Sequence, residues 1–86
     1  MKIIFSHHAL RRMVERGIRR SDVLQAIRES DKIEVSRVEE RRFLAKKVYR
    51  NLRLGKDHLL MVICERVTEK ISVITVIDTS KISKYI

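Results

Sequence analysis

No proline interrupts this chain, and only two glycines, Gly17 and Gly55, relax it. That scarcity excludes Pro/Gly-rich linkers and low-complexity segments, and no internal repeat is present. A single cysteine, Cys64, rules out an intrachain disulfide. It sits in the apolar run LLMVICE and reads as a small buried hydrophobe, with nothing nearby in sequence to activate it as a nucleophile. No apolar run approaches the roughly 18 residues of a membrane span, and the opening MKIIF is too short for a signal peptide. A cytoplasmic protein without membrane contact is expected. Acidic residues are also in short supply, 11 against 20 Lys+Arg, for a net charge of +9. The excess is spread along the chain, so the body itself is basic rather than a detachable tail. Such a surface favours a polyanionic partner, most simply nucleic acid.

The chain has 86 residues, of which 44% are hydrophobic and 36% charged. That is the composition of one small globular domain, here residues 1–86, with a thin core. Lys2–Phe5 reads either as a short strand or as an apolar lead-in. Ser6 suits the N-cap of a helix from His7 to Arg16, on which Ala9, Leu10, Met13 and Val14 form the apolar stripe. Gly17 supplies the left-handed residue that ends it. Ser21 is expected to cap a second helix, with Val23, Ala26 and Ile27 as its buried stripe. The period then changes from 3.6 to 2. Ile33 and Val35 mark one strand and Phe43 to Leu54 hold a second. The nearly all-apolar runs Leu59–Cys64 and Ile71–Ile77 read as central strands. The expected fold is α+β: two N-terminal helices packed on a four-stranded antiparallel sheet, in the order α-α-β-β-β-β.

The stretch SHHALRRMVERGI carries the densest chemistry. On a helical wheel with His8 at zero, Arg12 falls near 40°, Glu15 near 340° and Arg16 near 80°, all rough angles. These four share a face. His7 points about 100° away from His8, so the two do not chelate one metal, and no other ligand spacing occurs. No metal and no cofactor are expected. One reading of the face is a solvated helix laced by ion pairs from Glu15 to Arg11 and Arg12. The other is phosphodiester chemistry. Metal-free RNA cleavage needs proton transfer near neutral pH, which histidine supplies. It also needs fixed cations over the phosphate, which arginine forks supply.

Here a family resemblance enters. Ser6-x-His8-Ala9-x-x-Arg12-Met13-x-Glu15-Arg16-Gly17-Ile18, followed by Asp22-Val23 and Ala26-Ile27, resembles the opening signature of the domain-of-unknown-function family numbered 4258. Val73-Ile74-Thr75-Val76 resembles its closing strand. The resemblance implies a RelE-like α-α-β4 domain, akin to small toxins of the barnase/EndoU/colicin/RelE ribonuclease grouping, which cut RNA without metal. By position it implies His8, Arg12, Glu15 and Arg16 as catalytic candidates. It also places Thr75 on the strand, where its hydroxyl either binds phosphate or fills the sheet. RelE-type toxins often carry reactive groups near the C-terminus; Lys81, Lys84 and Tyr85 have suitable chemistry but match no motif.

Two further features belong to the residues alone. In AKKVYRNLR, period 2 puts Lys47, Tyr49, Asn51 and Arg53 on one strand face, opposite Val48 and Leu52. If that face is open, Lys47, Tyr49 and Arg53 suit RNA backbone and base contact; if not, it is an ordinary strand face. His58 opens the next strand, as a surface turn histidine or as a second proton-transfer group.

The leading expectation is a toxin-type, metal-independent ribonuclease or RNA-binding protein, covered by an acidic antitoxin protein if one exists. The alternative is a non-catalytic nucleic-acid-binding or partner-binding module, including a dimer paired through a sheet edge. A helix-turn-helix reading is disfavoured because the second helix presents Asp22, Gln25, Arg28 and Glu29, with little net positive charge. Oligomeric state is left open.

Overall fold

A computed structural model describes residues 2–86. The chain runs β1 (Lys2–Phe5), α1 (His7–Arg16), α2 (Arg20–Arg28), β2 (Lys32–Val35), β3 (Arg42–Asn51), β4 (Lys56–Val67), β5 (Lys70–Thr79) and α3 (Ile82–Tyr85). The strands form one sheet in the order β1-β5-β4-β3-β2. The three pairings among β2, β3, β4 and β5 are antiparallel, whereas β1 lies parallel to β5, with Ile3 beside Ile71 and Phe5 beside Val73.

The expected four-stranded antiparallel sheet behind two N-terminal helices is therefore corrected. The sheet has five strands and is mixed, its first strand precedes the helices, and the RelE-like α-α-β-β-β-β order does not hold. The physical reason is long range. β1 has only four residues, and its partner lies at the far end of the chain. No local turn signal announces such a pairing; it forms because α1 carries the chain over β5.

Both helices lie on one face of the sheet, α1 against β5 and α2 against β3 and β4. Strand alternation sends Phe43, Ala45 and Tyr49 from β3, and Leu60, Val62 and Cys64 from β4, to that face. They meet Ala9 and Met13 of α1, Val23 and Ala26 of α2, and Val73 and Val76 of β5. Fully burying the valine, leucine, phenylalanine and methionine side chains among them contributes about 1.5–3 kcal/mol each before entropy is counted. The Cys64 thiol lies in this core, where burial pushes its pKa up to about 12.

Local signals act as their chemistry requires. Ser6 Oγ accepts the Ala9 N–H at 3.0 Å and donates to the Ile74 carbonyl at 2.8 Å. That carbonyl is presented by a bulge in β5, where Ile63 stands opposite Thr75 but Cys64 opposite Val73. Gly17 has φ +66°, and its N–H reaches back to α1 carbonyls. The second helix departs from expectation at its start: Arg19, not Ser21, is the N-cap. The Asp22 carboxylate accepts the Arg19 backbone N–H at 3.1 Å and is gripped by the Arg19 guanidinium at 2.8 and 3.1 Å.

On the other face of the sheet Leu59 and Met61 are buried outside the main cluster. Lys46 is also buried there, only 5% exposed. Its Nζ donates to Glu34 Oε1 at 2.6 Å and to the Tyr85 carbonyl, which fastens α3 to the sheet. This hydrogen bond to Lys46 holds the Glu34 carboxyl below its ordinary range. No helix among the described residues is long and apolar enough to cross a membrane.

Candidate functional site

The apolar stripe of α1 is narrower than its spacing suggests. Ala9 and Met13 are buried, but Leu10 is exposed and Val14 is 83% exposed. Arg12 takes part of the inner position: it is half-buried, and its Nε is shielded from solvent without a hydrogen-bond partner. His8, Arg11, Glu15 and Arg16 face solvent. Among the described residues, no carboxylate lies within 4.0 Å of Arg11, Arg12 or Arg16. The lacing of Glu15 to Arg11 and Arg12 is thus not formed. What remains is a stripe with His8 at one end and Arg12 and Arg16 one and two turns on, about 6 Å apart along the axis. The exposed forks of Arg11 and Arg16, without a carboxylate partner, are free to take phosphate oxygens in pairs, whereas Arg12 has its Nε turned away from solvent.

Arg53 joins this stripe from the turn between β3 and β4. Its Nη1 donates to the Glu15 carbonyl at 3.2 Å, and its side chain lies over Gly17. A cation there complements the negative end of α1.

A second polar group lies under the helices. Tyr49 stands beside His58 across β3 and β4, and Asp78 is opposite Leu60 on β5. The Tyr49 hydroxyl donates to Asp78 Oδ1 at 2.6 Å and accepts from Asn51 Nδ2 at 3.0 Å. Asn51 Oδ1 in turn accepts the Leu54 N–H at 3.0 Å, closing the turn. His58 Nδ1 lies 3.0 Å from both oxygens of Asp78. Desolvation and the bond to Asp78 raise the Tyr49 phenol above its ordinary pKa, with Asn51 opposing. A carboxylate fixing Nδ1 of a histidine is the orienting half of an acid–base pair. Here, however, His58 is 4% exposed and its Nε2 is buried without a partner. The ring is almost wholly shielded from solvent, and the group ties β3, β4 and β5 together at one end of the sheet.

The strand candidates are dispersed. Period 2 correctly groups Lys47, Tyr49 and Asn51, but theirs is the face under the helices. Tyr49 and Asn51 are buried, so the expected solvent-facing RNA strip of Lys47, Tyr49 and Arg53 is not formed there. Lys47 is half-buried, with Nζ 3.4 Å from Asp31. Asp31 also accepts the Val48 N–H at 2.9 Å, which is the main cause of its lowered pKa. Thr75 pairs with Ile63 in the sheet, half-buried. Lys81 and Lys84 are exposed, and Tyr85 contributes its carbonyl to Lys46. The structure therefore brings His8, Arg12, Glu15 and Arg16 onto one helix and adds Arg53; Lys47, Tyr49 and Thr75 lie elsewhere.

Sequence reasoning misses the Asp78–His58 pairing. Alternation along DHLLMVIC puts His58 in phase with Leu60, Val62 and Cys64, which already marks it as inward-facing; nothing local points to Asp78 as its partner.

The chain belongs to the family described as Domain of unknown function (DUF4258), which matches residues 5–78. No curated protein and no solved structure matches it significantly.

Proposed function

We propose that this protein binds RNA along α1 and cleaves it without a metal, with His8 in proton transfer and Arg12 and Arg16 on the phosphate. The observation that supports this reading is the row of arginines without carboxylate partners beside an exposed histidine, in a chain of net charge +9. In such a reaction a 2′-hydroxyl loses its proton and attacks the adjacent phosphorus. The 5′-oxygen leaves with a proton, giving a 2′,3′-cyclic phosphate and a free 5′-hydroxyl. His8 suits the first or the second transfer, and Glu15 on the same stripe suits the other. The arginines stabilise the charge that builds on the phosphoryl oxygens. The same chemistry would group the family with metal-independent RNA-cutting toxins.

A second reading has its own observation. Val14 and Leu10 are exposed apolar residues flanking Arg11. An apolar and basic flank suits an acidic protein partner of the antitoxin kind, in which case α1 is a docking surface rather than an active site.

The test is incubation with mixed-sequence RNA in excess EDTA, alongside His8→Ala. The expected result is cyclic-phosphate product from the wild type and its loss in an equally stable variant. RNA binding without cleavage in either protein would reduce the reading to binding. Equal cleavage by both would move the chemistry away from His8.

A further inference from the structure

β2 is the last strand of the sheet, and all four of its residues are exposed. Its two apolar side chains are open to solvent, Ile33 at 48% and Val35 at 63%. The hydrogen-bond phase of this edge is fixed. The Ser36 N–H donates to the Arg42 carbonyl, and Glu34 and Lys32 stand opposite Leu44 and Lys46. In an antiparallel pair, alternate residues bond inward. Arg66 N–H bonds to the Arg41 carbonyl, so odd-numbered β3 residues turn to β4 and even-numbered ones to β2. Residues 32, 34 and 36 thus bond to β3, the Asp31 N–H also reaches the Lys46 carbonyl, and among the described residues the N–H and C=O groups of Ile33 and Val35 point outward without a partner.

We propose that β2 is a self-association edge, occupied by β2 of a second copy of this chain in antiparallel register with Ile33 opposite Ile33. Two constraints select this register. Outward-bonding residues must oppose one another, which leaves two-fold axes at position 32, 33, 34 or 35 of the strand, and an axis at 32 sets Lys32 against Lys32, like charges directly opposite. An axis at position 34 sets Glu34 against Glu34, and like charges directly opposite are unfavourable. An axis at position 35 sets Ile33 against Arg37 and Glu34 against Ser36, forming no ion pair. An axis at position 33 sets Lys32 of each copy against Glu34 of the other, on the same face of the sheet, twice by symmetry. The two Ile33 residues then exchange both backbone hydrogen bonds, and their side chains meet. Within one chain Lys32 Nζ lies 3.7 Å from Glu34 Oε1, which Lys46 also contacts; both side chains keep about half of their surface exposed, and the dimer exchanges this intrachain pair for the two cross-strand ones. Edge strands carry charges that discourage pairing in most proteins; here the order Lys-Ile-Glu reads as its own complement.

Four residues per copy bury less than the roughly 1,200 Å² of a stable interface. The dimer is therefore weak and concentration-dependent. The inference is independent of the reading of α1.

Sedimentation equilibrium of the full chain from about 5 to 500 µM, at ionic strength near 0.15 M to screen the shared positive charge, reads it directly. The expected result is a shift from 10.2 kDa toward twice that mass. Lys32→Glu brings two carboxylates together at each cross-strand pair with Glu34 and raises the dissociation constant at least about tenfold. Glu34→Lys does the same with lysines. An equimolar mixture of the two variants restores both pairs and forms a heterodimer. Ile33→Lys, at an exposed position that leaves the inward bonds intact, abolishes the dimer without loss of circular dichroism and decides the matter if Glu34→Lys fails to fold. A wild type that stays at 10.2 kDa overturns the proposal. So do a Lys32→Glu or Ile33→Lys variant that dimerises normally, and a mixture of folded charge variants that stays monomeric.

Discussion

Two histidine-bearing regions of this molecule are built from similar residues and end in opposite states. Under the helices, His58, Asp78, Tyr49 and Asn51 use their polar atoms on one another, and His58 Nε2 is sealed from solvent. On α1, His8 stands in solvent beside arginines without carboxylate partners. The first arrangement looks more like an active site by its hydrogen bonds, because a carboxylate orients an imidazole. Burial makes it a structural tie instead. In the second no carboxylate holds the arginines, and the exposed groups of His8, Arg11 and Arg16 are available to a ligand. Availability, rather than hydrogen-bond quality, separates the two.

Substitutions divide along the same line. The largest effect is expected at Asp78. Asp78→Ala leaves the Tyr49 hydroxyl and His58 Nδ1 buried without their acceptor. Each buried donor left without its acceptor costs about 1–3 kcal/mol, so about 2–6 kcal/mol for the two. In a domain of this size each kcal/mol lowers Tm by roughly 4–8 °C, so a drop of at least about 8 °C is expected in calorimetry. A drop under about 3 °C would mean that the tie is not structural.

Tyr49→Phe is next, at about 1–3 kcal/mol near neutral pH. Its pH dependence has a definite sign. Because the folded-state pKa of Tyr49 is raised, the neutral phenol's contribution is fully present below the ordinary value of 10.0 and is lost as pH rises above it. Wild-type stability should fall above that pH, and the gap to Tyr49→Phe should narrow, in urea melts across the alkaline range. A gap that is constant with pH would contradict the assignment.

Ser6→Ala removes the cap of α1 and the bond to the β5 bulge together, and should lower stability by about 1–2 kcal/mol. Thermal melts of this variant check that figure, and an unchanged Tm would remove the cap from the account. Smallest are His8→Ala and Arg16→Ala, exposed and outside any ion pair, which should shift stability by no more than about 0.5 kcal/mol. If either proves strongly destabilising, α1 is a structural element and the contrast with the buried cluster fails.

Much of the fold is readable locally. Ser6 and Gly17 bound α1 because capping chemistry acts over three or four residues. The alternation in β3 and β4 groups the right residues, as a period of 2 requires. Which face is covered is not readable in this way. Tyr49 and Val48 sit on opposite sides of β3, and both sides carry apolar residues, so local pattern does not reveal that the helices cover Tyr49. For the same reason spacing places Val14 on the inner stripe of α1. A wheel gives angles between residues but not the width of the contact, and the structure narrows it to Ala9 and Met13. The pairing of β1 with β5 and of Asp78 with His58 depends on segments distant in the chain. At the candidate site, the sequence groups His8, Arg12, Glu15 and Arg16 on one helix, but the approach of Arg53 to Glu15 is a tertiary contact without a sequence mark.

The most direct measurement is the salt dependence of affinity for a fluorescent single-stranded RNA, comparing the wild type with Arg11→Ala/Arg12→Ala/Arg16→Ala. If α1 holds phosphate, the variant binds at least about tenfold more weakly. Its log–log salt slope should also fall by about 0.7 for each phosphate that the variant leaves unneutralised. An unchanged slope and affinity in a folded variant would contradict the account, and would show that the exposed stripe of α1 is no more a ligand site than the sealed histidine beneath it.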